Sequence, residues 1–195
     1  TPDIRCLVVT GRGRAFCSGQ DLEELEIDMA DLGDDPSDAA IAAKLEPYQA
    51  LTRALLALPC PSVAALNGTA VGMGAEIALA CDLRIASPTM RIGFVEAARA
   101  LFQTNGVMWL LPRIVGHATA LQLVLTGQMI DAAEALRIGL VGELADDVRA
   151  AAVARATQMA ANAPISMRLA RDLLGRTWDL TLDEVMAGEV AGMGA

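Results

Sequence analysis

The sequence predicts an α/β domain in which helices cover a parallel β-sheet. Short apolar runs rich in valine, isoleucine, leucine and alanine alternate along the chain with longer segments of helical spacing. These runs are apolar throughout, which is typical of strands that are buried on both faces. Glycine-rich loops follow two of the runs. Together these patterns favour parallel strands that are connected through helices.

The first strand is predicted at residues 4–10 (IRCLVVT), a β-branched run that ends at a glycine. A loop over residues 16–20 (FCSGQ) leads into a helix near residues 21–25. The acidic segment 28–38 contains glycine and proline, so we expect a mobile surface segment there. Residues 37–58 carry leucines at helical spacing and predict the next helix.

A second buried strand is predicted at residues 62–66 (SVAAL), followed by a loop over 67–74 and a helix over 75–80. Two short apolar runs at residues 83–86 and 90–92 are predicted to be strands. Helical spacing dominates the remainder of the chain. The predicted helices there are residues 121–125, 132–137, 148–161 and 165–174, and residues 140–144 are predicted to be one more strand.

The length of 195 residues fits one domain over residues 1–195, with a core over about 4–145 and a helical part over about 146–195. The chain begins without methionine, directly before an apolar run, and it ends in a Gly/Ala-rich segment without a clear helix stop. We therefore expect a piece of a longer protein, with apolar surface uncovered at one sheet edge and around the C-terminal helices.

Composition excludes several classes of partner. Apolar residues make up 54% of the chain, and the net charge is -9 without any Lys/Arg cluster. Neither nucleic acid nor an anionic membrane is therefore expected as a partner. The uncharged stretch 54–75 contains prolines and glycines, so it does not predict a membrane-spanning helix.

The cysteines and the single histidine limit the chemistry further. Cys6, Cys17, Cys60 and Cys81 form no C-x-x-C pair and no metal-ligand spacing, and each has apolar or small neighbours. A reducing, cytoplasmic location is therefore expected. Because His117 is the only histidine, no histidine-based triad, multi-histidine metal site or other bound metal is predicted.

Two glycine-rich loops, residues 11–19 and 68–74, each lead from a strand towards a helix. Backbone N–H groups at such a helix start can bind an anion or stabilise developing negative charge. Neither loop is G-x-G-x-x-G or a P-loop, so a dinucleotide site is not favoured. The alternative interpretation is that both loops are only tight turns.

Two glutamates stand in unusually apolar surroundings. Glu76 comes directly before the run Ile77 to Cys81, and Glu96 stands between Val95 and two alanines. Burial raises the pKa of a carboxyl group, and a pair of such groups suits proton transfer. The alternatives are a helix cap for Glu76 and a surface ion pair for Glu96.

Other residues are predicted to have structural roles. Asp82 is predicted to make a structural hydrogen bond, and Asp21 to place charge at a helix N-terminus. Trp109 and Trp178 lie in helical apolar patterns and are predicted to be core residues. Ser18 has no histidine or aspartate close in the sequence, which argues against a nucleophilic serine.

Three motifs in order resemble those of the crotonase, or enoyl-CoA hydratase/isomerase, superfamily. The first is CLVVTGRGRAFCSGQDL and the second is PSVAALNGTAVGMGAEIALACDLRIAS. The third is WLLPRIVG, followed by LVLTGQMIDAAEALRIGLV. The resemblance extends from Ile4 to about Leu182 and implies a spiral of strand–strand–helix turns. It also implies that the opening strands and the last helices are missing, and that the protein forms trimers or hexamers.

The resemblance implies a complete set of residues for hydrating an enoyl-CoA. Two backbone N–H groups, which the motifs place on Gln20 and Met73, would polarise the thioester carbonyl. Glu76 would activate the water and Glu96 would exchange the proton at the α-carbon. Coenzyme A would enter as part of the acyl-CoA substrate, so no separate cofactor is expected. The same motifs imply substrate contacts by Cys17, Ser18, Gly19, Asp21, Leu22, Gly72 and Gly74.

The chain departs from the family pattern after the second glutamate. The segment Ala100 to Gly106 (ALFQTNG) replaces the usual Gly-Leu-x-Pro and glycine pair, and Val95 stands where proline is common. The sequence therefore does not define the acyl group of the substrate.

The alternatives to hydration are another crotonase reaction such as 3,2-enoyl-CoA isomerisation, a non-catalytic CoA-binding relative, and an unrelated α/β binding domain.

Overall fold

The structure is a computed structural model that describes residues 4–33 and 37–194 of the chain. Its strands form two four-stranded sheets. The first contains, in spatial order, β1 (Leu7–Thr10), β3 (Ser62–Leu66), β5 (Leu83–Ala86) and β8 (Glu143–Leu144), all of them parallel. The second contains β2 (Ala15–Cys17), β4 (Thr69–Val71), β6 (Arg91–Gly93) and β7 (Met129–Asp131), and only its β6–β7 pair is antiparallel.

Helices follow the strand pairs and dominate the second half of the chain. They are α1 (Leu22–Leu32), α2 (Asp38–Leu56), α3 (Met73–Ala80), α4 (Val107–Val115), α5 (His117–Thr126), α6 (Ala132–Arg137), α7 (Val148–Ala160), α8 (Pro164–Arg176) and α9 (Leu182–Met193). A short 3-10 helix spans Glu96–Arg99. Among the helices described here, none combines the length and apolar character needed to cross a bilayer.

The chain path confirms the expected spiral. Each of the first three turns places one strand in the first sheet and the next strand in the second sheet, and then continues into helix, as in β3–β4–α3. The last two strands come in the reverse order, because β7 of the second sheet and α6 precede β8 of the first sheet. The sequence predicted one sheet because β2, β4 and β7 have only three residues each. So short a strand carries no recognisable two-residue period, and these three strands were missed, although the equally short β6 was predicted.

The apolar character of β3 follows from its central position. All five of its residues are buried. Val63 and Ala65 pack in a cluster with Val148 and Ala152 of α7. The alternate residues of β3 belong to the larger core cluster on its other side. Because both faces of the strand are covered, the run needs no polar alternation.

Two predictions about local structure were wrong. Helix α1 continues to Leu32, so the first part of the acidic segment 28–38 is helical, while residues 34–36 lie outside the described ranges. Trp109 and Trp178 are 42% and 68% exposed and do not belong to the core. Helix α4 buries Val107, Leu110 and Leu111 on its other face, and both indole rings instead contact the Arg113 guanidinium, with ring centroids at 3.8 and 5.8 Å.

Apolar surface is exposed around the C-terminal helices, as expected. Helices α8 and α9 pack against each other but contain no buried residue. The exposed apolar side chains there include Leu174, Leu182 and Val190. Strand β1 forms one edge of the first sheet, and its three apolar residues are half-buried.

Candidate active site

A cavity of about 350 Å³ lies between the loop after β2, the start of α3, helix α2 and the segment that contains the 3-10 helix. Most of its wall is apolar, with leucine, isoleucine and valine side chains. Among the residues described, its polar side chains include those of Gln20, Tyr48, Glu76, Glu96 and Asn105. Such a wall, with a few convergent polar groups, is typical of a small-molecule site.

The loops after β2 and β4 meet backbone to backbone at one end of this cavity. Gly19 has a φ of +94°, and a Cβ placed on it would lie 2.9 Å from the Val71 carbonyl oxygen and 3.7 Å from the Met73 nitrogen. A Cβ on Gly74 would collide with the Cys17 carbonyl oxygen. Only glycine permits so close an approach, and the approach brings the Gln20 and Met73 backbones together.

The Asn67 side chain holds the turn between β1 and β2. Its Nδ2 donates to the carbonyl oxygens of Gly13 and Ala15 at 3.0 and 3.1 Å. Its Oδ1 accepts the Gly11 N–H at 3.0 Å. A side chain from the start of the second loop therefore fixes the path of the chain into β2.

Two backbone N–H groups are available at this end of the cavity. Met73 is the first residue of α3, so its N–H has no acceptor within the helix, and Gly72 provides no side-chain cap. In the described ranges, neither the Gln20 N–H nor the Met73 N–H donates to any protein group. Both residues line the cavity. The pair can therefore bind a carbonyl oxygen, and the positive end of α3 favours negative charge there.

Glu76 lies in the first turn of α3 and is only 2% exposed. Its Oε2 accepts a hydrogen bond from Asn105 Nδ2 at 2.5 Å. Its Oε1 has no hydrogen-bond partner among the described residues. Burial raises the pKa of Glu76, and the nearby charge of Glu96 adds to this rise. The Asn105 amide opposes it, together with the backbone N–H groups of Thr104 and Asn105. The predicted alternative of a helix cap is wrong, because no side chain caps α3.

Glu96 begins the 3-10 helix, is half-buried and lines the same cavity. A Cβ on Gly72 would lie 3.1 Å from Glu96 Oε1, so this carboxylate lies against the backbone just before Met73. Gln103 Nε2 lies 3.5 Å from Glu96 Oε2, at the long limit of a hydrogen bond. Over residues 4–33 and 37–194, Glu96 makes no salt bridge, which contradicts the surface ion-pair alternative.

The remaining predicted contact residues divide into two groups. Ser18, Gly19, Leu22 and Gly72 line the cavity together with Gln20 and Met73. The others, Cys17, Asp21 and Gly74, are not part of its wall. Cys17 and Gly74 pack against each other behind it, and Asp21 caps α1 by accepting the Glu23 N–H at 2.9 Å.

Sequence reasoning missed three polar residues that join this cavity. Tyr48 Oη accepts a hydrogen bond from Gln20 Nε2 at 2.7 Å and so connects α2 to the first loop. Gln103 and Asn105 are buried, at 5% and 4% exposure, and their amides face the two glutamates. All three contacts join residues that are distant in sequence or lie in an irregular loop, and no local pattern indicates them.

The arrangement can polarise a carbonyl and move a proton. The two N–H groups provide fixed donors, and the two carboxylates provide proton acceptors or donors within the same cavity. Within the described ranges, no group of three or more His, Cys, Asp or Glu side chains is placed to hold a metal ion.

Comparison with known proteins gives a consistent result. The family model described as enoyl-CoA hydratase/isomerase matches residues 1–193. A 1,2-epoxyphenylacetyl-CoA isomerase of Escherichia coli is 39% identical over 129 residues, which are 66% of this chain and 48% of the relative. An (E)-benzylidenesuccinyl-CoA hydratase of Thauera aromatica is 41% identical over 133 residues, 67% of this chain and 48% of the relative. The chain thus matches about half the length of these curated relatives.

A solved structure extends the similarity to the whole fold. The crystal structure of an enoyl-CoA hydratase from Polaromonas sp. JS666 superposes with a TM-score of 0.90 at 28% identity. The superposition covers 98% of this chain and 74% of that protein.

Proposed function

Because the chain belongs to the enoyl-CoA hydratase/isomerase family, we propose that it adds water to a 2-trans-enoyl-CoA and forms a 3-hydroxyacyl-CoA. The observation that carries this proposal is the presence of both Glu76 and Glu96 in one cavity, beside the free N–H groups of Gln20 and Met73. Hydration needs a polarised carbonyl, a positioned water and a proton for the α-carbon, and these four groups can supply all three.

In the proposed reaction, the thioester oxygen accepts hydrogen bonds from the Gln20 and Met73 N–H groups. The water oxygen, held by Glu76, forms a bond to C3, and the C2–C3 double-bond electrons move towards the thioester. The negative charge that develops on the carbonyl oxygen is stabilised by the two N–H groups. The carboxylate pair takes one proton from the water, and Glu96 delivers one proton to C2. The pair therefore ends with the number of protons with which it began.

Coenzyme A is carried by the substrate in this reaction, so no further cofactor is needed. The four cysteines are free thiols, which supports the proposed cytoplasmic location.

We also propose that the protein forms a homotrimer or hexamer, as expected from the family. The exposed apolar residues of α8 and α9 support an interface there, and sedimentation velocity would measure the assembly.

The experiment that tests the proposal is a hydration assay with crotonyl-CoA, followed through the loss of the conjugated thioester absorbance. Glu76→Gln and Glu96→Gln should each lower kcat by about a hundredfold or more with little change in KM, because general acid–base groups contribute at that scale. Half-buried Glu134, which pairs with Arg137 away from the cavity, provides the control variant Glu134→Gln. Unchanged turnover in both site variants would contradict the catalytic assignment.

Double-bond isomerisation is the second candidate, because the matching family model is described as enoyl-CoA hydratase/isomerase. Moving a double bond between two carbons requires only one proton-shuttling carboxylate. Incubation of the protein with a 3-enoyl-CoA would then give the conjugated 2-enoyl-CoA and an increase in absorbance. That result, without hydration of any 2-enoyl-CoA, would favour isomerisation. Binding of CoA thioesters without turnover of either substrate would favour the non-catalytic alternative.

A further inference from the structure

The loop that follows the 3-10 helix presents amide side chains to both carboxylates of the cavity. Asn105 Nδ2 lies 2.5 Å from Glu76 Oε2, and Gln103 Nε2 lies 3.5 Å from Glu96 Oε2. The Asn105 contact is the stronger of the two, and both of its partners are almost fully buried. It joins two residues that are 29 positions apart in the sequence.

Hydrogen bonds connect this loop to the helices on either side of it. A second cavity, of about 370 Å³, lies on the other side, and Thr104 and Asn105 line both cavities. The loop is therefore a thin wall between two open spaces. Gln49 Nε2 of α2 donates to the Thr104 carbonyl oxygen at 2.9 Å and fixes the backbone of the wall. The Asn105 side chain then connects that wall to α3.

The two oxygens of Glu76 have different surroundings. Oε2 accepts from Asn105, while Oε1 has no donor within the described ranges. A buried carboxylate oxygen without a donor is costly, so Oε1 suits a donor that arrives with the ligand, such as a water. The Asn105 amide therefore occupies Oε2 and constrains the orientation of the carboxylate, beside the backbone N–H groups of Thr104 and Asn105.

We propose that Asn105 is a positioning residue, which holds Glu76 in one orientation as a hydrogen-bond acceptor and leaves Oε1 to the reacting water. This inference rests on the proposed function, in which Glu76 handles the water. The bond also favours the ionised form of the carboxylate, because a charged acceptor makes a stronger hydrogen bond with an amide than a neutral one. Asn105 acts through Glu76 and needs no contact with the substrate.

The test compares Asn105→Leu with Gln49→Leu. Leucine at 105 has the same branching and the same number of side-chain heavy atoms as asparagine, and it removes the donor to Glu76. Leucine at 49 removes the hydrogen bond to the wall and leaves that donor in place. The first measurement is a carbon-13 NMR titration of the labelled Glu76 carboxyl group. The titration midpoint should move to higher pH in Asn105→Leu and stay at the wild-type position in Gln49→Leu.

The second measurement is the pH profile of crotonyl-CoA hydration. In Asn105→Leu, kcat should fall about tenfold or more, KM should change by less than about threefold, and the acid limb should move to higher pH. An unchanged Glu76 titration in Asn105→Leu would overturn the proposal, and so would a shifted titration with unchanged kcat. Equal effects in Gln49→Leu would also overturn it, because they would indicate general loosening of the wall. A wild-type protein that hydrates no enoyl-CoA would refute the proposed function instead, and the positioning of Glu76 would then be decided by the titration alone.

Discussion

Arg171 of α8 donates its Nε hydrogen to Asp82 Oδ1 at 2.6 Å, although the two residues are 89 positions apart. The same guanidinium donates to the carbonyl oxygens of Leu55 and Leu58, at and just beyond the C-terminal end of α2. Asp82 Oδ2 in turn accepts from the backbone and hydroxyl of Ser62 at the start of β3. The structural role predicted for Asp82 is thereby confirmed, and one ion pair joins α8, α2 and the first sheet.

Removing this arginine should therefore weaken the whole domain. The side chains of Arg171 and Asp82 are only 15% and 28% exposed, so Arg171→Met leaves a poorly solvated carboxylate and two helix-end carbonyls without their donor. We expect the free energy of unfolding to fall by about 3 kcal/mol, as measured by urea denaturation. Arg168 is exposed on the same helix, and Arg168→Met should change the free energy of unfolding by less than about 0.5 kcal/mol. Similar losses in the two variants would contradict the assigned role.

Replacement of Gly74 by a larger residue should destabilise the protein, whereas replacement of Gly175 by alanine should not. A Cβ on Gly74 would collide with the Cys17 carbonyl oxygen, while a Cβ on Gly175 of α8 would meet nothing within 4 Å. We expect Gly74→Ala to cost about 2 kcal/mol of stability through overpacking, and Gly175→Ala to add about 0.5 kcal/mol through helix propensity. Thermal and urea unfolding of both variants measure the effect. A stable Gly74→Ala protein would show that the two loops can separate at little cost.

The buried carboxylate of Glu76 should reduce stability at neutral pH. Its pKa is raised above the ordinary value, mainly by burial, so the folded protein binds this proton more tightly than the unfolded chain does. Stability therefore falls as pH rises through the unfolded pKa towards the raised folded one. Glu76→Gln should be more stable than wild type at about pH 7.5, and the difference should shrink at about pH 4.5.

Urea denaturation at the two pH values tests this expectation. Exposed Glu189→Gln is the control for the removal of one negative charge. A Glu76→Gln protein that is less stable than wild type at neutral pH would mean that the carboxylate makes a net favourable contribution to the fold.

The proposed carbonyl-binding groups belong to the backbone, so their side chains should be replaceable. Met73→Leu keeps the N–H and the volume, and we expect kcat for hydration to stay within about threefold of wild type. Gly19→Ala places a Cβ 2.9 Å from the Val71 carbonyl oxygen, at a φ of +94°, and should displace the neighbouring Gln20 N–H. A loss of about a hundredfold in kcat is expected, because one oxyanion donor contributes on that scale. A large loss in Met73→Leu would instead indicate a role for the thioether.

The sequence predicted the parts of the molecule that local chemistry controls. The fully buried strand β3 has the predicted bounds, and the burial of Glu76 follows from its apolar neighbours at a helix start. The partner of that carboxylate was not predictable, because Asn105 lies in an irregular loop and its contact depends on how two turns of the spiral stack. For Trp109, the apolar neighbours in the sequence led to a wrong prediction of burial. Its surroundings in the sequence are apolar, yet α4 turns it outward onto Arg113.

At the junction of the two glycine loops, some functional groups belong to the backbone and others to side chains, so substitutions affect the two kinds differently. The amide pair depends on close backbone packing at Gly19 and Gly74 and on the Asn67 clamp, and it is insensitive to which side chains stand at Gln20 and Met73. The carboxylates and their amide neighbours, in contrast, are single side chains that one codon change can remove. If the amide pair binds the carbonyl group as proposed, a lineage with this framework could exchange one reaction on an acyl thioester for another without changing that binding. Divergence in chemistry should concentrate at residues 76, 96 and 103–105, and divergence at the glycines should accompany loss of the activity altogether.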